Sequence, residues 1–160
     1  MPAQKTNVMR LLEQKKIAFQ AHSYPHGDSA VDGVTAAALI GRDPAVVFKT
    51  LLARGASKGC YVFVIPVAAE LNLKKAAKAV GEKSIAMAPV SELLALTGYV
   101  RGGCSPIGMK KAYPTVIHSS AQGLDTMIVS AGKIGEQVEL SPADLIALTR
   151  ASIADIISED

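Results

Sequence analysis

Two apolar runs separated by a short polar turn constrain the fold more than any other feature of the sequence. AVVFKTLLA (residues 45–53) and CYVFVIPVA (60–68) flank the turn RGASKG (54–59). Runs of this length, rich in Val, Ile and Phe and bounded by glycine, are typical of β-strands joined as a hairpin. Apolar residues occupy both alternating sets of positions, which indicates that both faces of the hairpin are covered. We therefore expect this hairpin in the core.

The rest of the chain alternates between predicted helices and shorter predicted strands. Helices are predicted in NVMRLLEQKKI (7–17), an Ala-rich segment that stops at Gly41, NLKKAAKAVG (72–81), PVSELLALTG (89–98) and a final segment that begins at Ser141-Pro142. Strands are predicted in AFQAHSY (18–24), SIAMA (84–88), TVIHSS (115–120), TMIVSAG (126–132) and EQVELS (136–141). Helices mixed with mainly antiparallel hairpin strands predict an α+β fold.

Length and composition predict one globular domain that spans residues 1–160. The chain has 160 residues, of which 49% are hydrophobic and 19% are charged. No segment approaches the roughly 18 apolar residues of a membrane span, and the first residues lack the apolar centre of a signal peptide. We therefore expect a cytoplasmic protein. Cys60 and Cys104 are far apart and have no metal-type spacing, so we expect free thiols, no disulfide and no metal.

A glycine-rich loop is the most unusual segment of the chain. GYVRGGCSPIGMKKAYP (98–114) carries glycines at 102, 103 and 108 around Pro106. Without a Cβ the backbone can adopt positive φ angles and approach another molecule closely, and successive N–H groups there can bind an anion or a polarised carbonyl oxygen. The same residues also fit a plain surface turn between a helix and a strand. The loop alone does not decide between these two interpretations.

Lys49 is the most informative single residue because it lies within the first strand of the hairpin. Its side chain shares a strand face with Val47 and Leu51, while Phe48 and Thr50 lie on the other face. An unpaired ammonium group is very costly to bury fully, so Lys49 either extends to solvent at a sheet edge or points into a polar cavity. The cavity alternative implies a function.

The net charge is only +3, but the sequence contains two basic clusters. One is on the predicted helix 72–81, where Lys74 and Lys78 share a face at i, i+4 spacing next to Lys75. The other, Lys110 and Lys111 with Arg101, brackets the glycine loop. Clusters of this kind suit a nucleic-acid phosphate backbone, and they equally fit lysines on solvated faces.

Four segments together resemble one protein family. VFKTLL (47–52), LNLKKAAKAVG (71–81), TGYVRGGCSPIGMKK (97–111) and VSAGKIG (129–135) are similar, in order and spacing, to the YbaK-type Cys-tRNA(Pro) deacylases. Their superfamily includes the editing domain of bacterial prolyl-tRNA synthetases. The resemblance implies a sheet curled into a barrel-like core with surrounding helices. It also implies trans-editing of mischarged tRNA(Pro), no cofactor, and prolyl-tRNA synthetase as a partner, with neither DNA nor membrane involved.

The resemblance assigns roles to particular residues. Lys49 matches the essential lysine, and Gly102 and Gly103 match the loop that holds the aminoacyl ester, which makes these three the catalytic candidates. The substrate-binding candidates are Tyr24, Ser105, Pro106, Ser130, Gly132 and Gln137, and the tRNA-binding candidates are Lys74, Lys78, Lys110 and Lys111. Gln137 stands where close members often carry Asp, with Glu136 beside it.

The implied chemistry does not need a nucleophile from the protein. In a cysteinyl ester the substrate's own thiol can attack the carbonyl, so the protein supplies orientation and charge stabilisation. A nucleophilic Cys104 is disfavoured, because His22, His26 and His118 are scattered and the family has no such triad. Two alternatives stay open, namely a related deacylase for alanine or another small amino acid and a non-enzymatic module that binds tRNA or a synthetase.

Overall fold

A computed structural model describes residues 5–26 and 31–158. Its helices are α1 (Asn7–Gln14), α2 (Gly33–Leu39), α3 (Leu73–Val80), α4 (Val90–Thr97) and α5 (Pro142–Thr149). Its strands are β1 (Gln20–Ser23), β2 (Phe48–Gly55), β3 (Cys60–Pro66), β4 (Ile85–Met87), β5 (Thr115–His118), β6 (Met127–Ser130), β7 (Glu136–Leu140) and β8 (Ser152–Ala154). The loop expected before α2 lies partly outside the described residues. The α+β prediction is confirmed.

The predicted hairpin forms the centre of the larger sheet. Strands β2 and β3 pair antiparallel, with Lys49 opposite Ile65 and Leu52 opposite Val62. The five-stranded sheet has the order β4-β2-β3-β5-β8, in which β5 and β8 run parallel to their neighbours. A three-stranded antiparallel sheet has the order β1-β7-β6. Most pairs in the described sheets are therefore antiparallel, as predicted.

The barrel-like closure expected from the resemblance is not confirmed. In the described part of the chain the two sheets meet through one isolated bridge, between Val47 and Ile128. Strands β4 and β8 end the large sheet, and β1 and β6 end the small one. This single bridge, just before β2 begins, does not close the two sheets into a barrel.

Alternation along β2 and β3 gives the large sheet two apolar faces. Phe48 and Leu52 point into the main core, which also contains residues of α1, α5 and the small sheet. Phe63 and Ile65 lie on the opposite face, where α3 packs through Ala76 and neighbouring residues. The large sheet is thus covered on both sides, as the composition of the hairpin predicts.

Local signals set the ends of the helices. The side chain of Asn72 accepts a hydrogen bond of 2.9 Å from Lys75 N at the start of α3, and Gly81 ends that helix in a left-handed conformation. Ser141 accepts a hydrogen bond of 3.1 Å from Asp144 N at the start of α5. Both N-terminal signals were visible in the sequence.

A strand near the end of the chain was not predicted. Strand β8 pairs parallel with β5, and residues just after it contact the segment that leads into α3. Asn72 N donates to Ile156 O at 2.8 Å, Ser158 N donates to Glu70 O at 2.9 Å, and Leu71 forms a bridge with Ile157. Residues 156–158 therefore fasten the start of α3 to the large sheet.

Candidate functional site

A cavity of about 1030 Å³ opens between the two sheets and helices α2 and α4. Its wall includes the start of β2, the loop after α4, the end of β6 and the start of β7. Five of the predicted catalytic and substrate-binding residues line it, namely Tyr24, Lys49, Gly102, Ser130 and Gln137. The fold thus brings together residues from five separate segments.

Lys49 lines this cavity at a point where the edge of the large sheet is uncovered. Strand β4 pairs with β2 only at residues 53–55, so the backbone at Lys49 has no strand on that side. The side chain is half-buried, and none of the described residues forms a hydrogen bond or ion pair with its ammonium group. A cation placed in this way is available to a negatively charged ligand.

The small sheet contributes the opposite wall. Ser130 at the end of β6 lies directly opposite Gln137 of β7, and both line the cavity. Tyr24 follows β1, and its backbone N donates to Gly135 O at 2.9 Å. Burial raises the pKa of the Tyr24 hydroxyl, which stays protonated at neutral pH as a neutral hydrogen-bond group.

Gly102 and Gly103 have different roles where the glycine loop contacts the small sheet. Gly102 lines the cavity with φ of 88°, a left-handed angle that favours glycine, and its carbonyl accepts a hydrogen bond of 3.3 Å from Ser130 Oγ. Gly103 is buried, and a Cβ there would lie 2.9 Å from Lys133 C and 3.0 Å from Ile134 N. The close approach at Gly103 is therefore to the loop after β6.

The N–H groups of these two glycines also differ. Gly103 N donates to Val100 O at 3.0 Å within the loop. No backbone hydrogen bond within the described residues uses Gly102 N. Of the pair, Gly102 is consequently the one whose N–H is available to an oxygen atom in the cavity.

Three other predicted substrate residues lie outside the cavity wall. Ser105 is fully buried, and its Oγ accepts a hydrogen bond of 3.2 Å from Ile107 N, so it supports the turn. Pro106 is buried beside it. Gly132 lines a smaller cavity of about 230 Å³ next to Tyr99. These residues shape the two loops, whereas Gly102 and Ser130 face the large cavity.

Cys104 lines the cavity as a protonated thiol. Burial raises its pKa to about 11, and a hydrogen bond with Thr97 only partly offsets this effect. At neutral pH the thiol fraction far exceeds the thiolate fraction, and the thiolate is the nucleophile. The environment therefore argues against Cys104 as an attacking group.

A buried ionic cluster behind Gln137 was missed in the sequence. Glu139, two residues along the same face of β7, accepts two hydrogen bonds from Arg42, one involving His22 at 2.8 Å and one from Thr126. Burial alone would raise the pKa of Glu139, but the hydrogen bonds from Thr126, His22 and Arg42 outweigh it and lower the pKa to about 2. Arg42 follows α2, so the cluster fastens that cavity wall to the small sheet. No sequence signal joins residues so far apart.

The mouth of the cavity is apolar and partly exposed. Val34 of α2, Val90 and Leu94 of α4, and Val100 are between 44% and 61% exposed. Val90 and Leu94 share a helix face at i, i+4 spacing. The site therefore combines an apolar entrance with a polar interior, an arrangement common in small-molecule sites.

The predicted tRNA-binding lysines are exposed and lie outside the cavity wall. Lys74 and Lys78 are on α3, while Lys110 and Lys111 follow the glycine loop. Arg101 is also exposed and does line the cavity. Within residues 5–26 and 31–158, no three His, Cys, Asp or Glu side chains are grouped as a metal site requires. None of the helices in those ranges is long and apolar enough to cross a membrane.

Comparisons with known proteins identify the family to which this chain belongs. The aminoacyl-tRNA editing domain family matches residues 28–148. EbsC of Enterococcus faecalis, named as a candidate Cys-tRNA(Pro)/Cys-tRNA(Cys) deacylase, is 43% identical over 157 residues, which cover 98% of this chain and 96% of EbsC. A crystal structure described as a candidate trans-editing enzyme for prolyl tRNA synthetase is 25% identical, with a TM-score of 0.84 over 98% of this chain and 100% of that one. This chain belongs to the aminoacyl-tRNA editing domain family.

Proposed function

We propose that this protein is a trans-acting deacylase that removes cysteine from mischarged tRNA(Pro). The observation that carries the proposal is Lys49, whose ammonium group has no partner among the described residues and lines the cavity of an editing-domain fold. The 43% identity to EbsC supports cysteine as the amino acid. An enzyme of this kind works where tRNA is charged, so the cytoplasm is the expected location.

The substrate supplies the nucleophile in the proposed reaction. The thiol sulfur of the cysteinyl ester attacks the carbonyl carbon of the same aminoacyl group and forms a C–S bond. The bond between this carbon and the ribose 3′ oxygen then breaks. The thiol proton passes to the departing 3′ oxygen, and the thiolactone formed is then opened by water. Because the attack is intramolecular, the protein has mainly to orient the ester and stabilise the developing charge. A protonated Cys104 is consistent with this scheme.

The lining residues fit these tasks. In this mechanism Gly102 N–H donates to the ester carbonyl as negative charge develops on its oxygen. Lys49 balances that charge and holds the 3′-terminal nucleotide. Tyr24 and Ser130 supply neutral hydrogen-bond groups on the opposite wall, while Gly103 fixes the loop that presents Gly102.

The apolar entrance and the exposed basic residues suit the rest of the tRNA. Val90 and Leu94 can pack against the terminal base, while Arg101 is close enough to the entrance to meet a phosphate. Lys110 and Lys111 lie further from the cavity and would attract the acceptor stem. Prolyl-tRNA synthetase is the proposed partner that presents tRNA(Pro), in line with the description of the structural relative.

A deacylation panel tests the proposal. Purified protein is given Cys-tRNA(Pro), Cys-tRNA(Cys), Ala-tRNA(Pro) and Ser-tRNA(Pro), each with and without prolyl-tRNA synthetase. We expect fast release of cysteine and slow release of alanine and serine, with the synthetase raising the preference for tRNA(Pro) over tRNA(Cys). Faster release of alanine would establish the small-amino-acid deacylase instead. Binding without any deacylation would establish a non-enzymatic module.

A further inference from the structure

Two residues that line the cavity each carry a buried polar atom that lacks a partner within the described part of the chain. Thr50 Oγ1 and Gln137 Oε1 are the buried side-chain oxygen or nitrogen atoms that find no hydrogen bond among the described residues. Such atoms are rare in folded proteins, because a buried polar group without a partner destabilises the native state. Both residues line the large cavity, and Gln137 is only 4% exposed. Their placement points to a ligand that completes these bonds.

The two residues approach the cavity from different sheets. Thr50 lies on β2 directly after Lys49, and Gln137 lies on β7 directly opposite Ser130. Lys49 and Ser130 belong to the proposed ester-binding part of the site, together with Gly102. A ligand group that reaches Thr50 and Gln137 is therefore close to the ester carbonyl, as the substituents of the amino acid's α-carbon are.

The chemistry of the two atoms selects one of those substituents. A carboxamide oxygen only accepts hydrogen bonds, and a hydroxyl group both accepts and donates. The thiol of cysteine is a weak donor with one hydrogen, whereas an α-amino group carries two or three N–H donors. Of these substituents, the amino group alone carries a separate donor for each of the two oxygens.

We propose that Thr50 and Gln137 bind the free α-amino group of the aminoacyl ester. This inference rests on the proposed function and adds that the site selects substrates by their amino group. Glu139, on the same face of β7, is already paired with Arg42 and His22, so the amino group meets neutral acceptors. The site is then selective against esters in which the amino group is blocked or absent.

The test compares two thiol esters that differ only in this group. The cysteinyl and 3-mercaptopropionyl esters of an acceptor-stem minihelix both carry the attacking thiol. The enzymatic rate for each ester is divided by the uncatalysed rate of the same ester, which corrects for its intrinsic reactivity. We expect the wild type to prefer the cysteinyl ester at least tenfold in kcat/KM, as expected where a site is built to bind a polar group. Thr50→Val and Gln137→Leu should each reduce this preference to below threefold.

Melting temperatures separate this role from a structural one. Because Thr50 Oγ1 has no partner in the free protein, Thr50→Val should leave the melting temperature unchanged or raise it. Thr149→Val is the matched control, since Thr149 donates to Leu145 O in α5, away from the cavity, and its loss should not alter the preference. If Gln137→Leu does not fold, Gln137→Glu replaces it and should increase the preference for the amino ester.

The possible outcomes distinguish a failure of this inference from a failure of the proposed function. Equal corrected rates for the two esters in the wild type would overturn the inference and leave the deacylase intact. An unchanged preference in Thr50→Val and in the folded Gln137 variant would do the same. Failure to cleave either ester would overturn the deacylase and, with it, the inference.

Discussion

Arg42 and Glu139 lie 97 residues apart in the sequence and join through two parallel hydrogen bonds of 2.6 and 2.8 Å. This planar pair, with His22 and Thr126 on the same carboxylate, connects the segment after α2 to the small sheet. The arrangement is the bidentate geometry in which a guanidinium group binds a carboxylate most strongly. It stabilises one wall of the cavity.

The first prediction concerns stability at acid pH. The pKa of Glu139 is about 2 in the folded protein and near 4.5 unfolded, so ionised Glu139 stabilises the fold above about pH 4.5. That contribution, about 3 kcal/mol, is lost as the pH falls toward 2. Glu139→Gln should therefore lower the free energy of unfolding at pH 7 and much less at pH 2.5, as measured by urea denaturation.

Glu13→Gln is the matched control for this experiment. Glu13 forms an exposed pair with Lys5 at 2.9 Å, and exposed pairs contribute little to stability. We expect an almost unchanged unfolding curve at both pH values. A difference between wild type and Glu139→Gln that is the same at pH 7 and pH 2.5 would show that the charge of Glu139 is not the cause.

The second prediction concerns Lys49. Lys49→Ala and the longer Lys49→Met should reduce kcat/KM for Cys-tRNA(Pro) by about 100-fold or more, because the cavity loses its cation. The melting temperature should hardly change, since no described residue pairs with this ammonium group. Lys83→Ala, at an exposed position, serves as the control. Wild-type turnover in Lys49→Met would contradict a role in the site.

The third prediction concerns the thiols. With the pKa of Cys104 near 11, alkylation of this residue by iodoacetamide should be slow at pH 7.5 and should accelerate as the pH approaches 11. Cys104→Ala and Cys60→Ser should each keep most of the deacylation rate, because the attacking sulfur belongs to the substrate. Trapping of a cysteinyl adduct on Cys104, detected by mass spectrometry, would instead identify it as the nucleophile.

The fourth prediction separates the two adjacent glycines. Gly103→Ala places a methyl group 2.9 Å from Lys133 C, so we expect both a lower melting temperature and lower activity. Gly102→Ala strains a left-handed position by about 1–3 kcal/mol and disturbs its N–H, so kcat should fall about 100-fold even in the folded fraction. Met109→Leu is the control in the same loop. Full kcat in folded Gly102→Ala would limit that glycine to a turn role.

The fifth prediction concerns the basic clusters. Changing Lys74 with Lys78, or Lys110 with Lys111, to alanine should raise KM for aminoacyl-tRNA. It should also make the affinity less dependent on salt, because the slope of log affinity against log salt concentration falls by about one for each phosphate that a lysine no longer neutralises. Cleavage of a minimal 3′-end ester should be unaffected, because these lysines lie outside the cavity wall. An unchanged KM and salt slope would mean that the lysines are only solvated surface.

Local signals explain what could be predicted from the sequence. The hairpin follows from its own composition, and α3 begins and ends at residues that bond within a few positions, such as Asn72 and Gly81. Strand β8 begins only three positions after the end of α5, so no loop sets it apart, and its pairing with β5 is non-local. The partners of Glu139 and the lack of a partner at Thr50 Oγ1 depend on distant segments. No local pattern contains that information.

The late position of β8 and residues 156–158 in the chain has a consequence for synthesis on the ribosome. Ile156 is fully buried against the face that α3 covers, and the residues beside it fasten α3 through Asn72 and Glu70. While residues 152–158 are still inside the exit tunnel, β5 lacks its outer neighbour and the apolar face beneath α3 remains partly open. Until residues 152–158 have emerged and paired, one face of the sheet therefore stays exposed to chaperones.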